Sequence, residues 1–213
     1  MYTEKYFEER LTADGRRDIV WEELNRFFSA YYPKQLDKVV ELGAGYCCWI
    51  NNVKANKKVA IDISPIVRDY AKNGTEALVQ DATELSSFED NSVDMFLASN
   101  FFEHFIIEDV EKIILQINRV LKKGGRLCIL QPNFRYCWRE YFDDYTHRTI
   151  FTHEGLSTLL KENNFDLIKV LPKITPYSFK SSSIPTPRLV IRAYLNSPIR
   201  PGAKQMALIV EKK

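Results

Sequence analysis

The sequence predicts a single α/β domain in three layers, one parallel sheet of seven strands between helices. Three observations carry that prediction. Short β-branched runs alternate with longer amphipathic stretches, the pattern of a parallel sheet covered by helices. Three successive runs end in groups suited to holding a ligand, and they do so at the C-terminal strand ends, where open α/β sheets bind ligands. Finally, 213 residues with no internal repeat and no low-complexity linker match one domain of ordinary size.

Near the N-terminus, Ile19, Leu24, Phe27 and Phe28 mark one face of a helix. The strands then follow at Lys38–Leu42, Lys58–Ile63, Ala77–Gln80, Val93–Ala98 and Arg126–Gln131, with two more at Phe165–Leu171 and Gln205–Glu211. Between the fourth and fifth, Val110, Ile113, Ile114, Ile117, Val120 and Leu121 recur at spacings of three and four and share one helix face. Lys122-Lys123-Gly124-Gly125 is expected to end that helix, with cations near the negative end of its dipole and glycine as a left-handed cap. Thr152 is placed to N-cap a helix that buries Leu156, Leu159 and Leu160 and stops at Asn163-Asn164.

Composition excludes several classes. With 45% hydrophobic and 27% charged residues, wholesale disorder is excluded. No apolar run approaches the roughly 20 residues a spanning helix needs. The first residues lack a secretory layout, so the expected location is cytoplasmic. Four cysteines without a C-x-x-C indicate reduced thiols, with neither a disulfide framework nor a zinc site. The net charge of +2 hides an asymmetry. From Pro172 onward eight Lys or Arg face the single Glu211, so the first 171 residues are net −5 (22 basic, 27 acidic). No basic stripe runs along that body, which argues against nucleic acid as a partner.

The chemistry concentrates in Val39-Val40-Glu41-Leu42-Gly43-Ala44-Gly45-Tyr46, a buried strand running into a glycine turn. Gly43 and Gly45 remove side chains where backbone must approach a ligand. The next strand ends in Asp62, twenty-one residues after Glu41, where a carboxylate can accept both hydroxyls of a ribose. The third ends in Gln80-Asp81-Ala82, an acidic side chain and a backbone amide for an adenine edge. A nicotinamide cofactor would want a third glycine, so that a helix N-terminus meets the pyrophosphate. Here Tyr46, Cys47 and Cys48 follow Gly45, and Glu41 would repel a diphosphate. S-adenosylmethionine, with adenine, ribose, a sulfonium and an amino-acid tail, suits these groups better.

At this point the chain resembles the class I S-adenosylmethionine-dependent methyltransferases. The resemblance rests on Glu41-Leu-Gly-Ala-Gly45, Asp62-Ile-Ser-Pro65, Gln80-Asp81-Ala82 and Asp94-Met-Phe-Leu-Ala-Ser-Asn100, and continues through Phe102-Glu103-His104 and Arg119-Val-Leu-Lys-Lys-Gly-Gly125. It implies a Rossmann-like domain whose seven-stranded sheet is mostly parallel with an antiparallel last strand. A helical cap over 1–37, a cofactor half over 38–131 and an acceptor half over 132–213, with an insertion at about 172–204, would complete it. Glu41, Gly43 and Gly45 would line the methionine end of the cofactor. Asp62 and the adjacent Ile63 would hold the ribose, Asp81 and Ala82 the adenine, and Asn100 would lie beside the reacting methyl. Where the family often has a third glycine this chain has Cys47, which implies a stiffer loop.

Methyl transfer requires alignment of acceptor and methyl, and a base when the acceptor is a hydroxyl. His147, in Tyr141-Phe-Asp-Asp-Tyr-Thr-His-Arg148, is the first candidate, with Asp143 or Asp144 to orient it. His104, beyond the fourth strand, is the second, and His153 has the setting of a surface residue. No ligand pair stands at metal-binding spacing on one element, so no metal is assigned. Six aromatics (Phe134, Tyr136, Trp138, Tyr141, Phe142, Tyr145) stand where an acceptor pocket is expected, able to stack on a sugar face or to pack as a lid. The stretch Asp144 to Thr152 resembles a branch associated with glycan and lipid-linked sugar biosynthesis, which makes a saccharide hydroxyl the expected acceptor. In the insertion, Arg188, Arg192 and Asn196 would share a helix face opposite Leu189, Val190, Ala193 and Tyr194. That helix either rests weakly on an anionic membrane surface or is an ordinary amphipathic helix lying on the sheet or covering the pocket, with its arginines in water. Two alternatives remain open: a non-catalytic scaffold of the same fold, and a nicotinamide oxidoreductase.

Overall fold

A computed structural model describes residues 15–176 and 187–213. Seven strands form one sheet: β1 (Lys38–Leu42), β2 (Lys57–Asp62), β3 (Thr75–Val79), β4 (Val93–Ser99), β5 (Leu121–Pro132), β6 (Phe165–Leu171) and β7 (Gln205–Lys212). Their spatial order is β3-β2-β1-β4-β5-β7-β6. Neighbours from β3 to β5 are parallel, and β7 runs antiparallel between β5 and β6. The order reverses between β1 and β4, and the crevice at their C-terminal ends is the place such a sheet offers a ligand.

Among the described residues six helices flank the sheet: α1 (Gly15–Phe28), α2 (Val67–Tyr70), α3 (Ile107–Val120), α4 (Phe134–Cys137), α5 (His153–Glu162) and α6 (Arg188–Asn196). On one face α3 and α5 bury Ile113, Ile117, Leu156 and Leu160 against Val40, Leu42, Phe96 and Ile129. On the other, α1, α6 and the loop after β1 bury Leu24, Phe28, Trp49, Ile191 and Leu195 against Val39, Leu97, Cys128 and Ile209. Each fully buried aliphatic or aromatic side chain contributes about 1.5–3 kcal/mol. The side chains alternate between the two faces along β1, β4 and β5, so a one-residue slip in register would invert both cores.

Thr152 caps α5 as expected, its Oγ1 accepting from the Gly155 N–H at 3.1 Å, and Asn164 ends the helix region with φ of +63°. The end of α3 differs from expectation. The helix stops at Val120, and Leu121, fully buried, already pairs with Val93 as the first residue of β5. Burial of Leu121 in the sheet outweighs one more helical turn. Gly124, at φ of +74°, then serves an irregularity in the β4–β5 pairing instead of a helix cap.

The insertion also differs. Helix α6 forms, but Ile191 and Leu195 are the side chains it buries, whereas Leu189 is 72% exposed and Val190 is exposed. The cause lies in α1: Glu23 pairs with Arg192 at 2.8 Å and Glu22 pairs with Arg188, which turns the arginine face toward the protein. The expected cap and insertion include residues 1–14 and 177–186, which lie outside the described residues.

Candidate active site

Strand β1 delivers Glu41 and then a tight loop. Gly43, Gly45 and Cys47 have φ of +62°, +56° being the value at Cys47 and +46° that at Gly45, so three residues within five are left-handed. Gly43 cannot be replaced easily: a Cβ there would fall 2.6 Å from Cδ2 of Phe101, whose ring follows β4. At Cys47 the glycine-like backbone is kept although the residue carries a Cβ, a strain of about 1–3 kcal/mol that the fully buried side chain must offset.

The loop is held by carboxylates. Asp62 accepts from the Gly45 N–H and the Ser64 N–H, each at 2.8 Å, one on each oxygen. Burial raises its pKa, and these backbone donors oppose that rise. A carboxylate has about four acceptor sites, and the Ile63 N–H also acts on this one, so at least one remains for a ribose hydroxyl. Glu41 lies beneath the loop and accepts from the Ile50 N–H at 3.0 Å. Burial pushes its carboxyl up to about 8, with nearby Arg17 opposing. Arg17, on α1, carries no sequence motif; the fold puts its guanidinium 5.9 Å from the centre of the Tyr46 ring, beside the loop.

The next strand ends complete the row. Ile63 is 56% exposed after β2, and Ala82 is buried after β3 beside the exposed Asp81, which accepts from the Thr83 N–H at 2.8 Å. After β4, Asn100 adopts φ of +47°. Its Oδ1 accepts from Nε2 of Gln205 at 2.7 Å, and Oε1 of Gln205 accepts from the Thr175 hydroxyl at 2.6 Å. Gln205 had no signal in the sequence, because only the antiparallel insertion of β7 beside β5 brings it to Asn100. A glycine cradle, a buried carboxylate with acceptor capacity left, and carboxylates instead of a helix N-terminus fit S-adenosylmethionine, a cationic ligand without phosphates.

Beyond β4 and β5 the second half of the site is assembled from loops. Arg148 and Thr149 donate their N–H groups to the Glu103 carbonyl at 2.7 and 3.3 Å, which docks the 141–149 loop on the 102–104 turn. The rings of His104 and His147 consequently lie 5.0 Å apart, centre to centre. His147 is buried, with Nδ1 2.6 Å from the Tyr141 carbonyl. Asp144 is linked to the other histidine: its Oδ1 accepts from the Thr146 hydroxyl at 2.5 Å, and that hydroxyl oxygen lies 3.0 Å from Nδ1 of His104. Burial, and then the neighbouring His147, lower the His104 pKa to about 4. His153 is not a surface residue; its side chain is 15% exposed and Nδ1 meets Nδ2 of Asn133 at 3.0 Å. Of the six aromatics, Tyr141 is buried and donates its hydroxyl to the Thr149 carbonyl, whereas Trp138, Phe142 and Tyr145 are exposed.

Residues 40–129 match the family model of a methyltransferase domain. No curated protein matches the chain. Among solved structures, a SAM-dependent methyltransferase from Archaeoglobus fulgidus is 20% identical, with 100% of both chains covered and a TM-score of 0.72. A SAM-dependent methyltransferase from Thermotoga maritima, described as a possible histamine N-methyltransferase, is 20% identical over 99% of this chain and 94% of that one, with a TM-score of 0.69. The [4+2]-cyclase SpnF is 17% identical over 90% and 81%, with a TM-score of 0.65. At such identities the likeness fixes the fold, and SpnF is a cyclase on that fold, so the acceptor must be argued from the site.

Proposed function

We propose that this chain, whose residues 40–129 match a methyltransferase domain, uses S-adenosylmethionine to O-methylate a saccharide hydroxyl on a small or lipid-linked acceptor. Glu41, Gly43 and Gly45 hold the methionine end of the cofactor, with Arg17 offering a charge to its carboxylate. Asp62 and Ile63 hold the ribose, Asp81 and Ala82 the adenine, and Asn100, fixed by Gln205, borders the reacting methyl. When bound, the cofactor supplies an electrophilic methyl on a good leaving group.

The observation that carries the hydroxyl acceptor is the Nδ1 contact of His147. The Tyr141 carbonyl can only accept, so Nδ1 carries the proton and Nε2 the lone pair that removes a proton from the acceptor. His104 is the second candidate; at a pKa of about 4 it is neutral at pH 7 but weakly basic. The exposed rings of Trp138, Phe142 and Tyr145 supply stacking faces for a sugar.

The test is transfer of labelled methyl from S-adenosylmethionine to a panel of free saccharides, lipid-linked saccharides and amines. Label on a sugar oxygen is expected. Label on amines alone would overturn the hydroxyl acceptor. A thermal shift with S-adenosylhomocysteine but no turnover on any acceptor would favour the scaffold, and a shift with NAD instead would favour the oxidoreductase. Among the described residues no helix is long and apolar enough to cross a membrane. A weak membrane contact through α6 and the turn after it would have to rest on exposed Leu189, Val190 and Ile199, since Arg188 and Arg192 are engaged by α1.

A further inference from the structure

We propose that Glu103, His104 and His147 form a binding site for one divalent transition-metal ion. A carboxylate oxygen of Glu103 and one ring nitrogen from each histidine all lie within 4.8 Å of one another. An ion bound at about 2.0–2.2 Å from each ligand would draw them to roughly 3–3.5 Å apart, a closure within the reach of side-chain rotation.

Glu103 provides the independent observation. It is 0% exposed, and neither carboxylate oxygen makes a hydrogen bond of good geometry, the Glu103 and Phe101 N–H groups lying near it without pairing well. A buried carboxylate left unsatisfied is costly, and such groups are normally paired or bound to a metal. Here the chemistry suited to it is two imidazoles that meet edge to face with their centres 5.0 Å apart.

The surroundings prepare both rings to act as ligands. His147 gives its Nδ1 proton to the Tyr141 carbonyl. At His104, the Thr146 hydroxyl donates to Asp144, so its oxygen accepts the Nδ1 proton. In His147 the lone pair therefore stands on Nε2, while the His104 ring is held in addition by the Asn100 backbone. Metal-bound histidines are commonly fixed in this way by a carbonyl, or by a carboxylate network. The Arg148 and Thr149 N–H bonds to the Glu103 carbonyl clamp the two loops that contribute the ligands.

Two imidazoles and one carboxylate suit zinc, cobalt or ferrous iron better than magnesium or calcium, which prefer all-oxygen shells. Three protein ligands leave positions open for a hydroxide and an acceptor oxygen. The ion would lower the pKa of that acceptor hydroxyl, whose proton passes to the metal-bound hydroxide and leaves it as water. This role rests on the O-methylation proposed above, and it moves the base from an imidazole to the metal; the binding site itself does not depend on it.

Purified protein treated with chelator should take up a single equivalent of Co²⁺, with visible absorption bands of low-coordinate cobalt, and Zn²⁺ should displace it, whereas Mg²⁺ should not. Glu103→Gln and His147→Ala should each weaken Co²⁺ at least about 100-fold, since loss of a ligand costs no less than loss of its outer-shell partner. The thermal shift with S-adenosylhomocysteine, measured on the same samples, should survive in both variants and shows that they fold. If either variant fails to fold, His104→Ala takes its place. No uptake of Co²⁺ or Zn²⁺ by the wild-type protein, or uptake unchanged in the folded variants, overturns the site. A persistent S-adenosylhomocysteine shift in that case leaves the methyltransferase reading standing, and its absence removes both.

Discussion

At the ends of β1 and β2 the groups that would meet the cofactor are held mainly by main-chain amides: Gly45 and Ser64 on Asp62, and Ile50 on Glu41. Beyond β4 and β5 the holding is done by a mixture of side chains and carbonyls from separate loops, Thr146 on His104 and the Tyr141 carbonyl on His147. The first arrangement needs few side chains, so it can recur wherever a strand runs into a glycine turn. The second depends on which side chains two loops happen to carry. A fold can thus keep its cofactor end while its acceptor end, and its reaction, change.

The sharpest way to break the cofactor side is Gly43→Ala. Its Cβ would meet Phe101 at 2.6 Å, and the residue would have to keep φ of +62°. We expect the thermal shift with S-adenosylhomocysteine to vanish and the fold to lose about 1–3 kcal/mol from the backbone term alone. Adding Phe101→Ala restores the space but not the backbone freedom, so only partial recovery of the shift is expected.

His147→Ala addresses the other side. It should leave that thermal shift intact while lowering turnover about 10²–10⁴-fold, the ordinary contribution of general acid–base catalysis. Asp62→Ala should do the reverse, losing at least about tenfold in cofactor affinity, because hydrogen bonds to charged groups contribute about 1.5–3 kcal/mol. If both variants lose the shift equally, the two halves are not separable.

Glu41→Gln separates cofactor contact from loop support. Burial holds this carboxyl at about 8 against an ordinary 4.5. Between those values the folded protein keeps a proton that the unfolded chain has released, so this group makes stability fall as pH rises through the window, by about 1.4 kcal/mol per unit. Above it the contribution is constant. Glutamine cannot ionise and can still accept from the Ile50 N–H, so the gain in Tm over wild type should grow from pH 5 to pH 8. A gain independent of pH would show that Glu41 is not held protonated.

The smallest effect belongs to the surface. Leu189→Ser should change stability by less than about 0.5 kcal/mol, given its exposure. Unchanged co-sedimentation of the protein with anionic liposomes would remove the membrane contact.

The strand–glycine-turn segment was legible in the sequence because its signals are local. Val39 to Tyr46 joins strand, turn and loop within eight residues, and each of the three strand ends can be found from the run before it. Position 47 shows the limit of such signals. Its cysteine looks like a departure from a glycine pattern, yet the backbone there is left-handed all the same, a fact that residue type alone did not carry. On α6, helical periodicity was correct while the choice of buried face was not, because the deciding carboxylates, Glu22 and Glu23, stand on α1.

The alternation of short strands and amphipathic helices determined the layered α/β fold by itself, since periodicity and turn residues act between near neighbours. It also determined the glycine loop and the acidic residues at the ends of β1 and β2. Only the tertiary structure decided which distant groups meet: Gln205 on Asn100 through the antiparallel β7, Arg17 beside the glycine loop, and Glu103 with His104 and His147 across two docked loops. Those meetings follow from the packing and hydrogen bonding of whole elements, and neither has a period or a spacing that a linear chain can display.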